Sequence, residues 1–210
     1  MRTMFKVERS DRRQIEIIEG GQAPWRFRPH FHAGDEIVRL LAGRARLRLP
    51  TISIELGKGD TVVVPAGTVH RFEPLDDKGW AFSSQFAMPL AMTRLPGAPD
   101  AVAGEGLVSR AMWRLADRAT LRTEPASIAR QCGVSAGYLS RAFRRSTGTS
   151  LHNFQVLLAL HRTKAQLRDG AGLSQAALDG GFYDQAHLTR EFVRTYGMTP
   201  GAFRAAWADR

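Results

Sequence analysis

The 210-residue sequence is poor in cysteine, in acidic charge and in long apolar runs. Cys132 is the one thiol, which excludes an intrachain disulfide and points to a reducing compartment. It sits just before Gly133, where a small apolar filler suits better than a reactive group. No apolar run approaches the ~18 residues that span a bilayer. Behind the opening charges Arg2, Lys6, Glu8 and Arg9 there is no apolar leader core, so a cytoplasmic protein is expected. Acidic residues number 20 against 30 Lys and Arg, a net charge of +10. Otherwise 43% hydrophobic and 24% charged residues describe an ordinary globular chain.

The charge is not evenly spread. Residues 1–100 carry a net +3 and residues 101–210 a net +7. The basic half also repeats itself. Ala129, Gly133, Leu139, Arg141, Phe143, Arg145, Gly148 and Phe154 recur as Ala177, Gly181, Leu188, Arg190, Phe192, Arg194, Gly197 and Phe203. The offset is 48 residues up to the turn glycine and 49 beyond it, so the second copy has one extra turn residue.

Each copy holds the parts of a helix–turn–helix: a small residue for close helix crossing, a turn glycine, and Leu and Phe at i and i+4 to pin the second helix. Ser135 and Ser150 are N-cap candidates in the first copy and Asp184 in the second, Ser174 opens the short helix of the second copy, and Pro200 suits a first helical position. The free N-terminal faces of the two second helices can enter a major groove. The first offers Ala136, Gly137, Ser140 and Arg141, the second Gln185, Ala186, His187, Thr189 and Arg190. Gln and Arg pair with base edges, while Arg144, Arg145 and Arg194 are placed to hold phosphates and so set register. The helix between the copies, Ser150 to about Arg168, would be roughly 28 Å long, near the ~34 Å between successive major-groove openings. Upstream, Val108, Ala111, Met112 and Leu115 form the stripe of another helix.

The acid-richer half has strand period. Arg44 to Leu49 alternates strictly, and Glu36 to Leu41 reads as its partner strand across an Ala42-Gly43 turn. Ile52–Leu56, Thr61–Val64, Val69–Phe72 and Trp80–Phe86 continue as short strands, so a β-sandwich or barrel is expected. Pro89, Pro96, Gly97, Pro99, Gly104 and Gly106 mark a linker.

His30, His32 and Glu36 share parity, and Pro65-Ala66-Gly67 turns the chain so that His70 can approach them. Three imidazoles and a carboxylate suit Zn, Mn, Fe, Ni or Cu without choosing among them. The same groups equally suit hydrogen bonds to a polar effector. Trp25, Phe72 and Trp80, with Phe27 and Phe82, offer walls for an apolar ligand or plain core.

The stretch Ser135 to Gly148 (SAGYLSRAFRRSTG), and still more Gly181 to Phe192 (GFYDQAHLTREF) with Tyr196-Gly-Met-Thr-Pro200, resembles the two recognition units of the AraC/XylS regulators. His161 departs from it, standing where those proteins usually carry arginine. The pattern HxHxxxE…G at 30–43 and Gly59…Pro65-x-Gly67-x-x-His70 resembles the two cupin motifs, departing at Pro74. Together these resemblances imply a two-domain protein: an all-β cupin-like barrel at 1–88 that senses a small molecule or metal, a linker at 89–106, and an all-α double helix–turn–helix domain at 107–210. They imply a sequence-specific transcriptional regulator, not an enzyme, whose partners are double-stranded DNA, an unidentified effector and RNA polymerase. The short linker leaves no room for an extra dimerisation helix, so a monomer or weak homodimer is expected. The alternative is a metal-dependent cupin enzyme of dioxygenase or isomerase type that carries a DNA-binding domain.

Overall fold

The computed structural model describes residues 4–10, 13–21, 28–87, 106–117, 121 and 123–208. The expected linker, apart from Gly106, and the aromatic pair Trp25 and Phe27 lie outside the described residues.

The sheet region comprises β1 (Met4–Ser10), β2 (Arg13–Gly21), β3 (Glu36–Arg48), β4 (Ser53–Gly57), β5 (Thr61–Val64), β6 (Arg71–Pro74) and β7 (Trp80–Ala87). All pairings are antiparallel, along the path β1-β2-β7-β3-β4, with β5 and β6 also paired to β3. Among the described residues this pairing does not close into a ring. β1 and β2 are additions to the strands named from the sequence.

β3 corrects one expectation. Glu36–Leu41 and Arg44–Leu49 are not two strands across a turn but one strand. Its register shifts between Leu40 and Ala42, and the buried face changes parity: Val38 and Leu40 are buried before the shift, Ala45 and Leu47 after it. An irregularity of this kind transfers every later side chain to the other face. Gly43 permits it. Its φ is +73°, and a Cβ there would collide with the backbone of Gly79 and Trp80. β3 is thereby shared, its first half lying between β5 and β7 and its second between β4 and β6.

The helical region comprises α1 (Leu107–Asp117), α2 (Pro125–Gln131), α3 (Ala136–Thr147), α4 (Leu151–Arg168), α5 (Leu173–Asp179), α6 (Gln185–Tyr196) and α7 (Pro200–Ala208). Ser135, Ser150 and Asp184 cap α3, α4 and α6 through their side chains. Ser174, expected to open the short helix of the second copy, lies in the first turn of α5 one residue after its start at Leu173, with Gly172 at the N-cap. α3 and α6 end alike, on Gly148 (φ 72°) and Gly197 (φ 73°). Leu139, Phe143, Leu188 and Phe192 are fully buried, as their i, i+4 spacing requires.

α4 is buried around most of its circumference because it packs against both helical units and the sheet region. One core cluster runs from the sheet through α4 to α5, α6 and α7, with Phe5 of β1 against Phe203 of α7 at 5.2 Å between ring centroids. A second joins Phe31 and Val69 to α1–α4. No helix among the described residues is long and apolar enough to cross a membrane.

Candidate nucleic-acid interface and interdomain site

The N-terminal turns of α3 and α6 face solvent. Ser140, Arg141, Arg144 and Arg145 are exposed on α3. Gln185, Ala186 and Arg190 are exposed on α6, with His187 and Thr189 half-buried beside them. A Cβ on Gly137 would lie 3.5 Å from the Arg141 guanidinium, so the missing side chain leaves Arg141 room to lie toward the start of α3. Arg194 is tied to Glu191 at 3.1 Å, and the same carboxylate receives Arg28 of the sheet region at 2.6 Å. Arg190 has no ion-pair partner among the described residues.

The four expected ligand residues come together although only Glu36 belongs to a strand. His30 and His70 pair as an isolated antiparallel bridge, and His32 lies in the turn before β3. One donor atom from each of His30, His32, Glu36 and His70 lies within 4.8 Å of the others, and all four residues are buried or nearly so. Nδ1 of His30 faces the Arg28 carbonyl at 2.8 Å, and Nδ1 of His70 faces the Thr68 carbonyl at 2.9 Å. With the proton held there, each Nε2 lone pair is turned inward, the usual orientation of a metal-binding imidazole.

Burial, helped by the neighbouring imidazoles, pulls His30 down to about 4 and His32 well below its ordinary value, so both are neutral at pH 7. Burial pushes the Glu36 carboxyl up, but the His70 and His30 imidazoles outweigh it and hold the carboxyl below its usual range. Glu36 Oε2 lies 2.8 Å from His70 Nε2 and 3.5 Å from His32 Nε2, yet none of the three atoms is in hydrogen-bonding alignment. Buried, orphaned donors converging on one point fit a divalent transition metal.

A cavity of about 310 Å³ lies where the sheet region meets α4 and α6. Its apolar wall is Phe31, Phe86 and Tyr196, and its charged wall is Glu16, Arg162, Lys164 and Arg168. His32 belongs both to this wall and to the ligand cluster. Glu16 of β2 is almost fully buried and lies 2.9 Å from Lys164 and 3.4 Å from Arg168. The Lys164 ammonium also sits 5.0 Å from the Tyr196 ring centroid. His161 lines the cavity instead of facing the surface, and burial beside Lys164 lowers it to about 4. Burial likewise raises the Tyr196 hydroxyl, keeping it neutral.

Sequence reasoning missed this cavity because its walls come from five distant stretches. The one available signal was His161 in place of arginine. Phe72 and Trp80 are packed in the sheet interior at 5.5 Å between centroids and do not line this cavity. A second cleft, about 500 Å³, is lined by Arg28, Arg48, Arg71 and Arg144, of which Arg48 and Arg71 are already paired with Glu73.

A helix-turn-helix domain profile matches residues 128–206, and a cupin domain profile matches residues 14–80. Among solved structures, ToxT from Vibrio cholerae O395 aligns with a TM-score of 0.58 at 9% identity, covering 96% of this chain and 100% of that one. ToxT bound to (E)-4-(8-methylnaphthalen-1-yl)but-3-enoic acid gives 0.56 at 10% identity, covering 98% and 99%. ToxT of strain SCE256 bound to an unsaturated fatty acid gives 0.53 at 11%, covering 94% and 96%. At these identities the likeness is one of fold. No curated protein sequence matches the chain.

Proposed function

We infer that this chain, which joins a cupin domain to an AraC-type helix–turn–helix domain, is a sequence-specific DNA-binding transcription regulator controlled from the cavity between the two. The observation that carries this reading is the position of α4. It joins the two recognition units, and the sheet region grips it through Glu16, Lys164 and Arg168. Whatever occupies the cavity therefore touches the element that sets how α3 and α6 are held.

The proposed effector is an apolar carboxylic acid. Phe31, Phe86 and Tyr196 suit its apolar body, and Lys164, Arg162 and Arg168 its anionic end. The two ligands carried by ToxT share this chemistry, each an apolar body ending in a carboxylic acid. An effector acid would compete with Glu16 for Lys164 and Arg168. It would shift populations by its differential affinity for the gripped and released states. Ser140, Arg141, Gln185, Ala186, His187, Thr189 and Arg190 are assigned to bases, and Arg144, Arg145 and Arg194 to phosphates.

His30, His32, Glu36 and His70 would hold a divalent metal, and such a metal would supply a fixed positive charge beside the cavity wall that His32 lines. This ligand set also supports the second reading, a metal-dependent enzyme of dioxygenase or isomerase type. Oxygen uptake or turnover by metal-loaded protein would favour that reading. The decisive experiment for the first is selection of bound duplexes from a random pool, repeated with a long-chain fatty acid present. A preferred two-part site whose occupancy responds to the acid supports it. Binding with no preferred sequence and only a steep salt dependence would reduce the protein to a nonspecific cation.

A further inference from the structure

The polar side chains at the start of α6 carry hydrogen bonds within the protein that set their hydrogen-bonding sense in the free chain. Gln185 Oε1 accepts from the Ser174 hydroxyl of α5 at 2.9 Å, which leaves the Gln185 amide NH2 turned outward. His187 Nδ1 accepts from the backbone N–H of Tyr183 at 3.2 Å. An imidazole nitrogen that accepts an amide proton cannot carry its own, so the neutral ring holds its proton on Nε2, the outward atom. The ring is fixed further by Phe182, edge-on at 5.4 Å between centroids, and by the Asp184 carboxylate, which takes the His187 backbone N–H at 2.6 Å. Thr189 gives its hydroxyl proton to the Gln185 carbonyl at 2.8 Å, so it has no proton left for a base and stands outside the donor set. Arg190 carries only donors.

From this arrangement we propose that Gln185, His187 and Arg190 form a donor-presenting face of α6, selective for base edges that present acceptors in the major groove. The proposal rests on the assignment of α6 to base reading and specifies its target. Guanine shows two adjacent acceptors, N7 and O6, and thymine shows O4. Cytosine shows the N4 amino donor, and adenine sets its N6 donor beside N7. Glutamine ordinarily reads adenine by giving one hydrogen bond and receiving another. Here the Ser174 hydroxyl occupies one lone pair of the receiving oxygen and holds that oxygen toward α5, which disfavours the two-way pairing with adenine. The half-site under α6 is therefore rich in guanine and thymine on the contacted edge. The repeat does not impose this on α3, where Tyr138 occupies the place of His187 and is capped by Ser135.

The test uses the full chain. Duplexes selected from a random pool by the wild type, Ser174→Ala, His187→Ala and Arg190→Ala are compared, the last two variants marking which half-site α6 covers. Guanine or thymine is expected at the Gln185 and His187 positions. His187→Ala should lose roughly tenfold in discrimination at one base pair while the rest of the site persists. 7-Deazaguanine or thymine lacking O4 acceptance at that pair should weaken wild type and leave His187→Ala unmoved. Ser174→Ala should gain acceptance of adenine at the Gln185 position, an effect that mere loss of packing would not produce.

The 15N signals of the free protein give an independent readout, with His187 protonated on Nε2. Protonation on Nδ1, or cytosine or adenine enriched at both positions by the wild type, overturns the proposal while sequence-specific binding stands. No preferred sequence at all overturns the DNA-reading assignment with it.

Discussion

The carboxylate of Glu16 on β2 lies 2.9 Å from the ammonium of Lys164 on α4, deep in the seam between sheet and helices. Glu16 is 1% exposed and the Lys164 side chain 12%, while Arg168, the second cation on this carboxylate, is 26% exposed. A pair this buried carries a large desolvation cost that only its partners offset. Glu16→Leu leaves two cations without their anion and should lower stability by about 3 kcal/mol, the low end for a buried pair because Arg168 reaches water. Adding Lys164→Met should restore much of that loss, since an apolar replacement of both partners removes the desolvation cost too. Urea denaturation of the two variants measures both effects. An additive double variant would show that the pair contributes nothing.

Acidification should loosen the same seam. His161 sits near pKa 4 in the fold and 6.5 outside it. Above pH 6.5 the imidazole is neutral in both states. Between 6.5 and 4 the unfolded chain takes up a proton that the fold refuses, so stability falls with pH by up to about 3 kcal/mol. His161→Leu should flatten part of this dependence in melting temperatures between pH 7.5 and 5, with His30 and His32 supplying the remainder. An unchanged pH profile would place His161 in contact with water.

Metal content is the direct measure of the ligand cluster. Protein purified without chelator should bind one divalent transition metal, and His32→Ala with His70→Ala should abolish that binding while DNA affinity survives. A chelator should lower the melting temperature of the wild type and leave the double variant unchanged. Retention of stoichiometric metal by the double variant would move the site elsewhere.

Gly180, in the turn of the second unit, has an ordinary helical φ of −70°, so backbone freedom is not its reason. A Cβ there would lie 2.6 Å from Thr163 Oγ1 of α4 and 2.9 Å from the Phe182 ring. Thr163 cannot swing away easily, because it is fully buried and its hydroxyl bonds to Ala159 at 3.0 Å. Gly180→Ala should therefore cost about 1–3 kcal/mol by overpacking and weaken DNA binding through α6. The control Gly137→Ala, where the nearest atom is a flexible guanidinium at 3.5 Å, should be close to neutral for folding.

Phosphate and base contacts separate by their sequence dependence. Arg190→Ala should cost about 1–3 kcal/mol at one base pair and relax specificity there, whereas Arg145→Ala should weaken all sequences alike and reduce the salt slope by about one. Affinities for the selected site and its single-base variants, measured at several salt concentrations, check both.

The helical half was legible because it is written in local chemistry. Ser135, Asp184, Gly148 and Gly197 each act within their own turn, and the i, i+4 pairs Leu139/Phe143 and Leu188/Phe192 act within one helix. The ligand cluster was legible for a different reason: residue types with matched chemistry stood at short spacings at the start of β3 and again just after β5. β3 was misread since a single irregularity at Leu40–Ala42 inverts its alternation, which from sequence looks the same as a turn. The cavity depends on Glu16, Phe31, Lys164 and Tyr196 meeting across long sequence separations, and no local pattern records that.

α4 is an uninterrupted 18-residue helix with no proline or glycine in it. As a rigid spacer of about 27 Å it is also a gauge of helical phase. The two half-sites must present their grooves to the same side of the duplex. Inserting about five base pairs between them would turn one half-site to the far side, and the chain would then hold its target by one unit alone.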